Sequence, residues 1–227
     1  MKRSQINNVI DRAIEVMDSK GIKLPPWGYW TREHWDATTV DANEIRLHGL
    51  GWNVTDFGSG DFQKTGLVLF VVRNGCLQDN QPITTKTYAE KYLIVDAGQV
   101  VPWHFHWAKT EDLINRSGAP LEVELGWAAE DERSLADRTV AAQVDGITKV
   151  MPGGARLQLQ PGESVTLPPL LCHQFSGSEG GMTVAGEVSS LNDDGTDNCF
   201  LGRNVARSAI IEDEPAKYYL LDEYPAR

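Results

Sequence analysis

Residues 98–118 read GQVVPWHFHWAKTEDLINRSG, and this stretch decides the fold. Val100, Val101, Trp103 and Phe105 mark a strand. With a side-chain period of two, His104 and His106 leave it on one face and Phe105 on the other. Glu111 follows five residues after His106, near enough for a turn or bulge to return an oxygen toward the two ring nitrogens. Two of the five histidines thus sit beside a carboxylate at metal-ligand spacing. The fourth ligand candidate is His173, in PGESVTLPPLLCHQF at 161–175. There a Pro161–Gly162 turn, a β-branched strand and a second proline break lead into a short strand bearing the histidine. Paired in one barrel, the two segments would turn three imidazoles and a carboxylate into one pocket, leaving about two positions of an octahedral ion open. That set suits Mn²⁺, Fe²⁺, Co²⁺, Ni²⁺ or Zn²⁺; a closed structural zinc site would be richer in thiolate.

Outward from this core the chain divides into a helical beginning and a strand-rich remainder. Ile6, Val9, Ile10, Ala13, Ile14 and Met17 follow a 3.6-residue stripe, predicting a helix over 4–20 with Ser4 at its N-cap and Gly21 just past its end. Leu24, Pro25 and Pro26 stop it. Thr31 is placed to cap a short turn, and Asp41 with Glu44 has the spacing of a capping box. Beyond Trp52, strand-like runs recur between Gly, Pro, Asn and Asp: 66–73, 90–95, the motif strand, 121–127, 139–144, 147–150, 156–159, 164–167, 172–175 and 182–189. Many short strands at this spacing predict an all-β antiparallel sandwich or barrel. One domain over 1–227 is expected, with 1–50 as a helical cap and 51–227 as the barrel.

Composition narrows the function. A formal net charge of −11 disfavours nucleic acid or an anionic membrane as partner. No apolar run approaches a membrane span, and MKRSQINN lacks the apolar core of a signal peptide, so a cytoplasmic protein is expected. Three cysteines, Cys76, Cys172 and Cys199, with no C-x-x-C pair, read as reduced thiols. Cys172 has no basic neighbour and reads as a small buried filler.

The residues carry a resemblance. Gly98, five residues, His104-x-His106, four residues, Glu111, six residues and Gly118 resemble the first cupin motif position for position. Gly162, Pro168 and His173 resemble the second motif, with Leu170 where the family usually has Gly and Gly177 where it has Asn. The resemblance implies a jelly-roll β-barrel with N-terminal α-helices. A narrower likeness runs through nearly the whole chain. The first helix, Leu24-Pro25-Pro26 with Tyr29-Trp30-Thr31, the block HFHWAKTEDLINRSG and the tail GEVSSLNDDGTDNCFLGR are together similar to the D-lyxose isomerases. That implies a metal-dependent aldose–ketose isomerase interconverting D-lyxose with D-xylulose, and often D-mannose with D-fructose. Family members are manganese-preferring and commonly homodimeric.

The chemistry of such a reaction assigns roles. A divalent ion with two open positions can hold O1 and O2 of the sugar and stabilise a cis-enediolate. Glu187 is the candidate base, and Lys109, between the histidine pair and Glu111, the candidate cation for the developing oxyanion. Asp194, Asp197 and Arg203 lie in a polar loop suited to sugar hydroxyls, and Trp103 and Trp107 bracket the histidines as a possible stacking wall. Proton transfer and hydride shift are both open. His34 and His48 stand alone and read as packing or surface residues. Two alternatives remain, a cupin Fe²⁺ dioxygenase and a non-catalytic sugar-binding cupin.

Overall fold

The apolar stripe at the N-terminus becomes helix α1 (Arg3–Ser19), followed by a 3₁₀ turn (Pro26–Tyr29), α2 (Arg32–Ala37) and α3 (Asn43–Leu47). The computed structural model describes residues 1–75, 86–202, 205 and 209–225. Within them the strands are β1 (Gly51–Thr55), β2 (Leu67–Arg73), β3 (Tyr88–Val95), β4 (Val100–Phe105), β5 (Glu111–Gly118), β6 (Leu121–Trp127) and β7 (Val140–Val144). There follow β8 (Ile147–Met151), β9 (Ala155–Leu159), β10 (Ser164–Leu167), β11 (Leu171–Gly177), β12 (Thr183–Ser190) and β13 (Cys199–Phe200).

The strands form two sheets, ordered β1-β2-β3-β12-β5-β10-β7-β8 and β13-β4-β11-β6-β9. All neighbours within each sheet are antiparallel. The architecture is the expected all-β jelly roll of cupin type with helices at its start. Leu93, Leu113, Leu125, Val165 and Phe175 belong to one buried cluster contributed by both sheets. The outer face of the larger sheet is covered as well. Ile6, Ile10, Ala13 and Met17 of α1 join Val68, Phe70, Ile94 and Val184 in a second cluster. Each Val, Ile, Leu, Phe or Met side chain among them, fully buried, contributes about 1.5–3 kcal/mol. Because both faces of β2 are covered, its sequence LVLFVVR reads as a continuous apolar run rather than an alternation.

Turn chemistry fixes the registers. Asp145 and Gly146 both take positive φ, 49° and 79°, giving the two-residue hairpin that joins β7 to β8. Two capping expectations are corrected. Lys2, not Ser4, occupies the N-cap of α1. Ser4 lies inside the first turn, its hydroxyl donating to Asp213 at 2.7 Å. Asp41 and Glu44 form no capping box: Asp41 accepts from Asn43 N–H at 3.0 Å as an Asx turn, and Ala42 is the N-cap of α3. Thr31 does cap α2, accepting from His34 N–H at 3.4 Å.

Helix α1 begins where it does because Arg3 is anchored. Its guanidinium, only 3% exposed, donates to Glu212 at 2.7 and 2.9 Å and to Glu223 at 3.1 Å. Met1 and Arg3 also exchange backbone hydrogen bonds with Ile211. The C-terminal segment is held to the sheet in turn, Leu221 N–H donating to Trp52 O at 2.8 Å. Arg3→Met removes a buried charge whose two carboxylate partners keep contact with water. We expect it to destabilise the protein by about 2 kcal/mol in urea unfolding, and an unchanged midpoint would show the anchor to be dispensable.

Candidate active site

The site is built where the two sheets face each other. His104 near the end of β4 and His173 on β11 are direct cross-strand partners, with ring centroids 4.1 Å apart. His106 follows the last residue of β4, and its ring lies 5.5 Å from that of His104 and 5.8 Å from that of His173. One ring nitrogen from each histidine lies within 4.8 Å of the other two. The chain then crosses to the opposite sheet, where Glu111 opens β5. Its Oε1 is 3.1 Å from His173 Nε2 and its Oε2 3.5 Å from His106 Nε2. The loop between the histidine pair and Glu111 thus brings the carboxylate back across the barrel.

These residues suit a divalent cation. Each imidazole has Nδ1 against a backbone carbonyl: His104 on Pro102 O at 2.8 Å, His106 on Asp197 O at 2.6 Å, His173 on Leu171 O at 3.2 Å. With Nδ1–H donating there, Nε2 carries the lone pair in each ring, and such outer contacts are what orient metal-ligating histidines. Burial, reinforced by the neighbouring His173 and His106, holds His104 well below the ordinary imidazole range, so it is neutral as a ligand must be. Burial alone would raise Glu111, but the Lys109 ammonium holds it well below the usual carboxylate range. Its Oε2 lies 2.7 Å from Lys109 Nζ yet off the direction of a hydrogen bond. Three convergent lone pairs beside an ionised, incompletely bonded carboxylate are a site for positive charge.

A polar network adjoins this cluster. Lys109, 2% exposed, donates to Glu187 Oε1 at 3.0 Å and to Asn192 Oδ1 at 3.3 Å. Burial would lower Lys109, but Glu111, Glu187 and Asp194 together hold it well above the ordinary lysine value. Lys91 on β3 reaches the same Glu187 oxygen at 3.1 Å and lies 3.5 Å from Asp194. Lys91, Lys109, Glu111, Glu187 and Asp194 face a cavity of about 570 Å³, within the range of small-ligand pockets. Its apolar walls include Leu69, Leu93, Val101 and Phe175, and Leu220 and Leu221 of the C-terminal segment complete them.

Not every expected residue arrives here. Lys109, Glu187 and Asp194 line the cavity together with the four ligand candidates. Asp197 does not. Its carboxylate accepts from the backbone N–H groups of Ala108 and Lys109, both at 2.9 Å, so it clamps the loop between His106 and Glu111 instead of facing a ligand. Trp103 and Trp107 are not on the cavity wall. Trp107 is 41% exposed, edge-on to Phe105 and donating to Glu132 at 3.0 Å. Arg203 and Cys76 lie outside the described residues. His34 stacks on Trp30 and His48 bonds Asn74 O at 2.9 Å, as packing residues. Cys172 is fully buried, which pushes its thiol up to about 12. Leu170, where glycine is usual in cupins, takes φ 66°, and its N–H donates to His106 O at 2.9 Å. The left-handed turn survives at the strain cost of a side chain, about 1–2 kcal/mol.

Sequence reasoning missed Lys91 and Asn192. A signal for Lys91 was present: within AEKYLIV it falls on the parity of Ala89, Leu93 and Val95, a charge on the inward row.

A family model for D-lyxose isomerase matches residues 1–224. A protein of Escherichia coli O157:H7 named D-lyxose/D-mannose isomerase is 41% identical over 226 residues, 99% of this chain and 98% of its own. The chain belongs to the D-lyxose isomerase family. A Serratia proteamaculans D-lyxose/D-mannose isomerase is 40% identical over the same shares. This D-lyxose isomerase family member is therefore an enzyme, a sugar isomerase acting between aldoses and ketoses. The Cellulomonas parahominis L-ribose isomerase solved with L-ribose overlays with a TM-score of 0.58 at 16% identity, covering 93% of this chain and 98% of its own. At that identity the likeness bears on the fold of the D-lyxose isomerase chain alone. None of the described helices is long and apolar enough to cross a membrane.

Proposed function

We propose that the protein interconverts D-lyxose with D-xylulose and, in the same cavity, D-mannose with D-fructose. The observation that carries this is the buried Glu187–Lys109 pair, 3.0 Å apart, set against three imidazoles whose Nε2 atoms converge. The names of the relatives support the substrates. So does stereochemistry: D-mannose repeats the C2 to C4 configuration of D-lyxose and differs by an added hydroxymethyl group, so one reacting end serves both.

The proposed cation is Mn²⁺, held by His104, His106, His173 and Glu111, with Zn²⁺, Co²⁺, Fe²⁺ and Ni²⁺ as substitutes. When bound it supplies Lewis acidity at the sugar oxygens on C1 and C2, which acidifies the C2 hydrogen. Glu187 accepts that hydrogen as a proton and returns it to C1, while a proton passes from O2 to O1. Lys109 neutralises charge that develops on oxygen in the resulting cis-enediolate. Asp194 binds a sugar hydroxyl. The apolar walls limit water around the reacting carbons. The proposed assembly is a homodimer in the cytoplasm, with a free sugar as partner.

Purified protein with Mn²⁺ should form xylulose from lyxose, lose this in EDTA and regain it when Mn²⁺ is restored. No ketose from any aldose with any divalent ion would overturn the reading. Oxygen uptake in place of ketose formation would point to dioxygenase chemistry.

A further inference from the structure

We propose that Lys91 is the positioning residue of the base, the cation that keeps Glu187 in place while Lys109 serves the substrate; this rests on the isomerase reading above. Lys91 is 3% exposed and lies directly across the strand pair from Glu187, β3 to β12. On its other side, across the β2 pairing, stands buried Val71, which offers no polar partner. A buried ammonium in such a row is costly to desolvate, and well-packed apolar residues in place of the whole charged group would serve stability as well. Its presence calls for something the charge does.

The geometry supplies it. Two ammonium groups and two oxygens form a closed square. Lys91 meets Glu187 Oε1 at 3.1 Å and Asn192 Oδ1 at 2.6 Å; Lys109 meets the same two oxygens at 3.0 and 3.3 Å. Asn192 is itself fixed, its N–H donating to Asn74 Oδ1 at 3.1 Å and its carbonyl accepting from Asn74 Nδ2 at 2.9 Å. The square is asymmetric in one respect. Lys109 is also 2.7 Å from Glu111 and so sits against the imidazole cluster, whereas the third neighbour of Lys91 is Asp194, and among the described residues Lys91 forms no ion pair with Glu111 or an imidazole. A sugar oxygen arriving near the imidazoles competes with Glu187 for Lys109. Lys91 does not face that competition and holds Oε1 throughout, so the carboxylate stays aimed as Lys109 turns away.

The test uses the full chain loaded with Mn²⁺ and D-lyxose as substrate. Lys91→Met and Lys91→Gln should each lower kcat by about 10²-fold, the usual cost of a base displaced by about 1 Å, with KM and metal content little changed. The isotope effect on [2-²H]lyxose should rise, because proton transfer becomes slower relative to the other steps. In a Glu187→Gln background the same substitution should add almost no further loss, since it acts through Glu187. If Lys91→Met does not fold, Lys91→Gln, which keeps a hydrogen-bond donor, carries the same expectation. A kcat near wild type, or an equal loss with and without Glu187, would overturn the assignment. If the wild-type chain makes no ketose, the isomerase reading itself has failed, which is a separate result.

Discussion

Glu187→Gln is expected to lower turnover by about 10² to 10⁴-fold, the range for removing a general base, while leaving the bound metal in place. The amide keeps the shape of the side chain and loses its capacity to take a proton. Metal content should be unaffected because, among the described residues, Glu187 pairs with Lys91 and Lys109 and forms no ion pair or hydrogen bond with an imidazole. Elemental analysis of the variant and a steady-state assay on D-lyxose check both halves of the statement. Near-normal kcat would remove Glu187 from the mechanism and leave Glu111 as the remaining carboxylate beside the imidazoles. Loss of metal together with activity would show instead that the lysine–carboxylate square holds the ligand loop.

His173→Ala has the opposite signature. It takes away the imidazole paired with His104 across the strands and 3.1 Å from Glu111. Mutating an outer partner of a metal ligand typically costs about 10–100-fold in affinity, and a ligand itself should cost at least the upper end of that. Thermal or urea unfolding reads the difference. At a free Mn²⁺ concentration of 100 times the wild-type Kd, the wild type gains about 2.7 kcal/mol of stability, whereas a variant with affinity weakened about 10²-fold gains about 0.4 kcal/mol. The metal-free proteins should differ much less. Equal stabilisation of both by Mn²⁺ would exclude His173 as a ligand.

How far the sequence carries depends on whether a residue's neighbours are local or distant. The histidine strand, the 121–127 and 164–167 strands and the Asp145-Gly146 hairpin follow from alternation and turn chemistry, which act within a few residues. Strand β5 was hidden because its inward row is Glu111, Leu113 and Asn115, polar at two of three positions. Glu111 is there for the site, and Asn115 serves backbone carbonyls, donating to Ala119 O at 3.0 Å and Leu159 O at 2.9 Å. The two-residue strand β13 is too short to show a period at all. The ligand candidates were legible because their spacing is fixed within two short segments. Lys91 and Asn192 gain their meaning from strands and loops about 100 residues apart, 101 for that pair, so the inward parity of Lys91 marked a buried charge without naming its partners. Ser4 misled for a related reason: cap propensity is local, but the start of α1 is fixed by Arg3 gripping residues at the other end of the chain.

That grip reaches beyond the first helix. The segment held by Arg3 through Glu212 and Glu223 also contains Leu220, Leu221 and Asp222, which form part of the cavity wall. Undocking of the first turn is therefore expected to expose the reacting carbons to bulk water, as one opening event shared by the two ends of the chain. Amide exchange in α1 and in the final segment should share one protection factor, and bound sugar should raise it in both together.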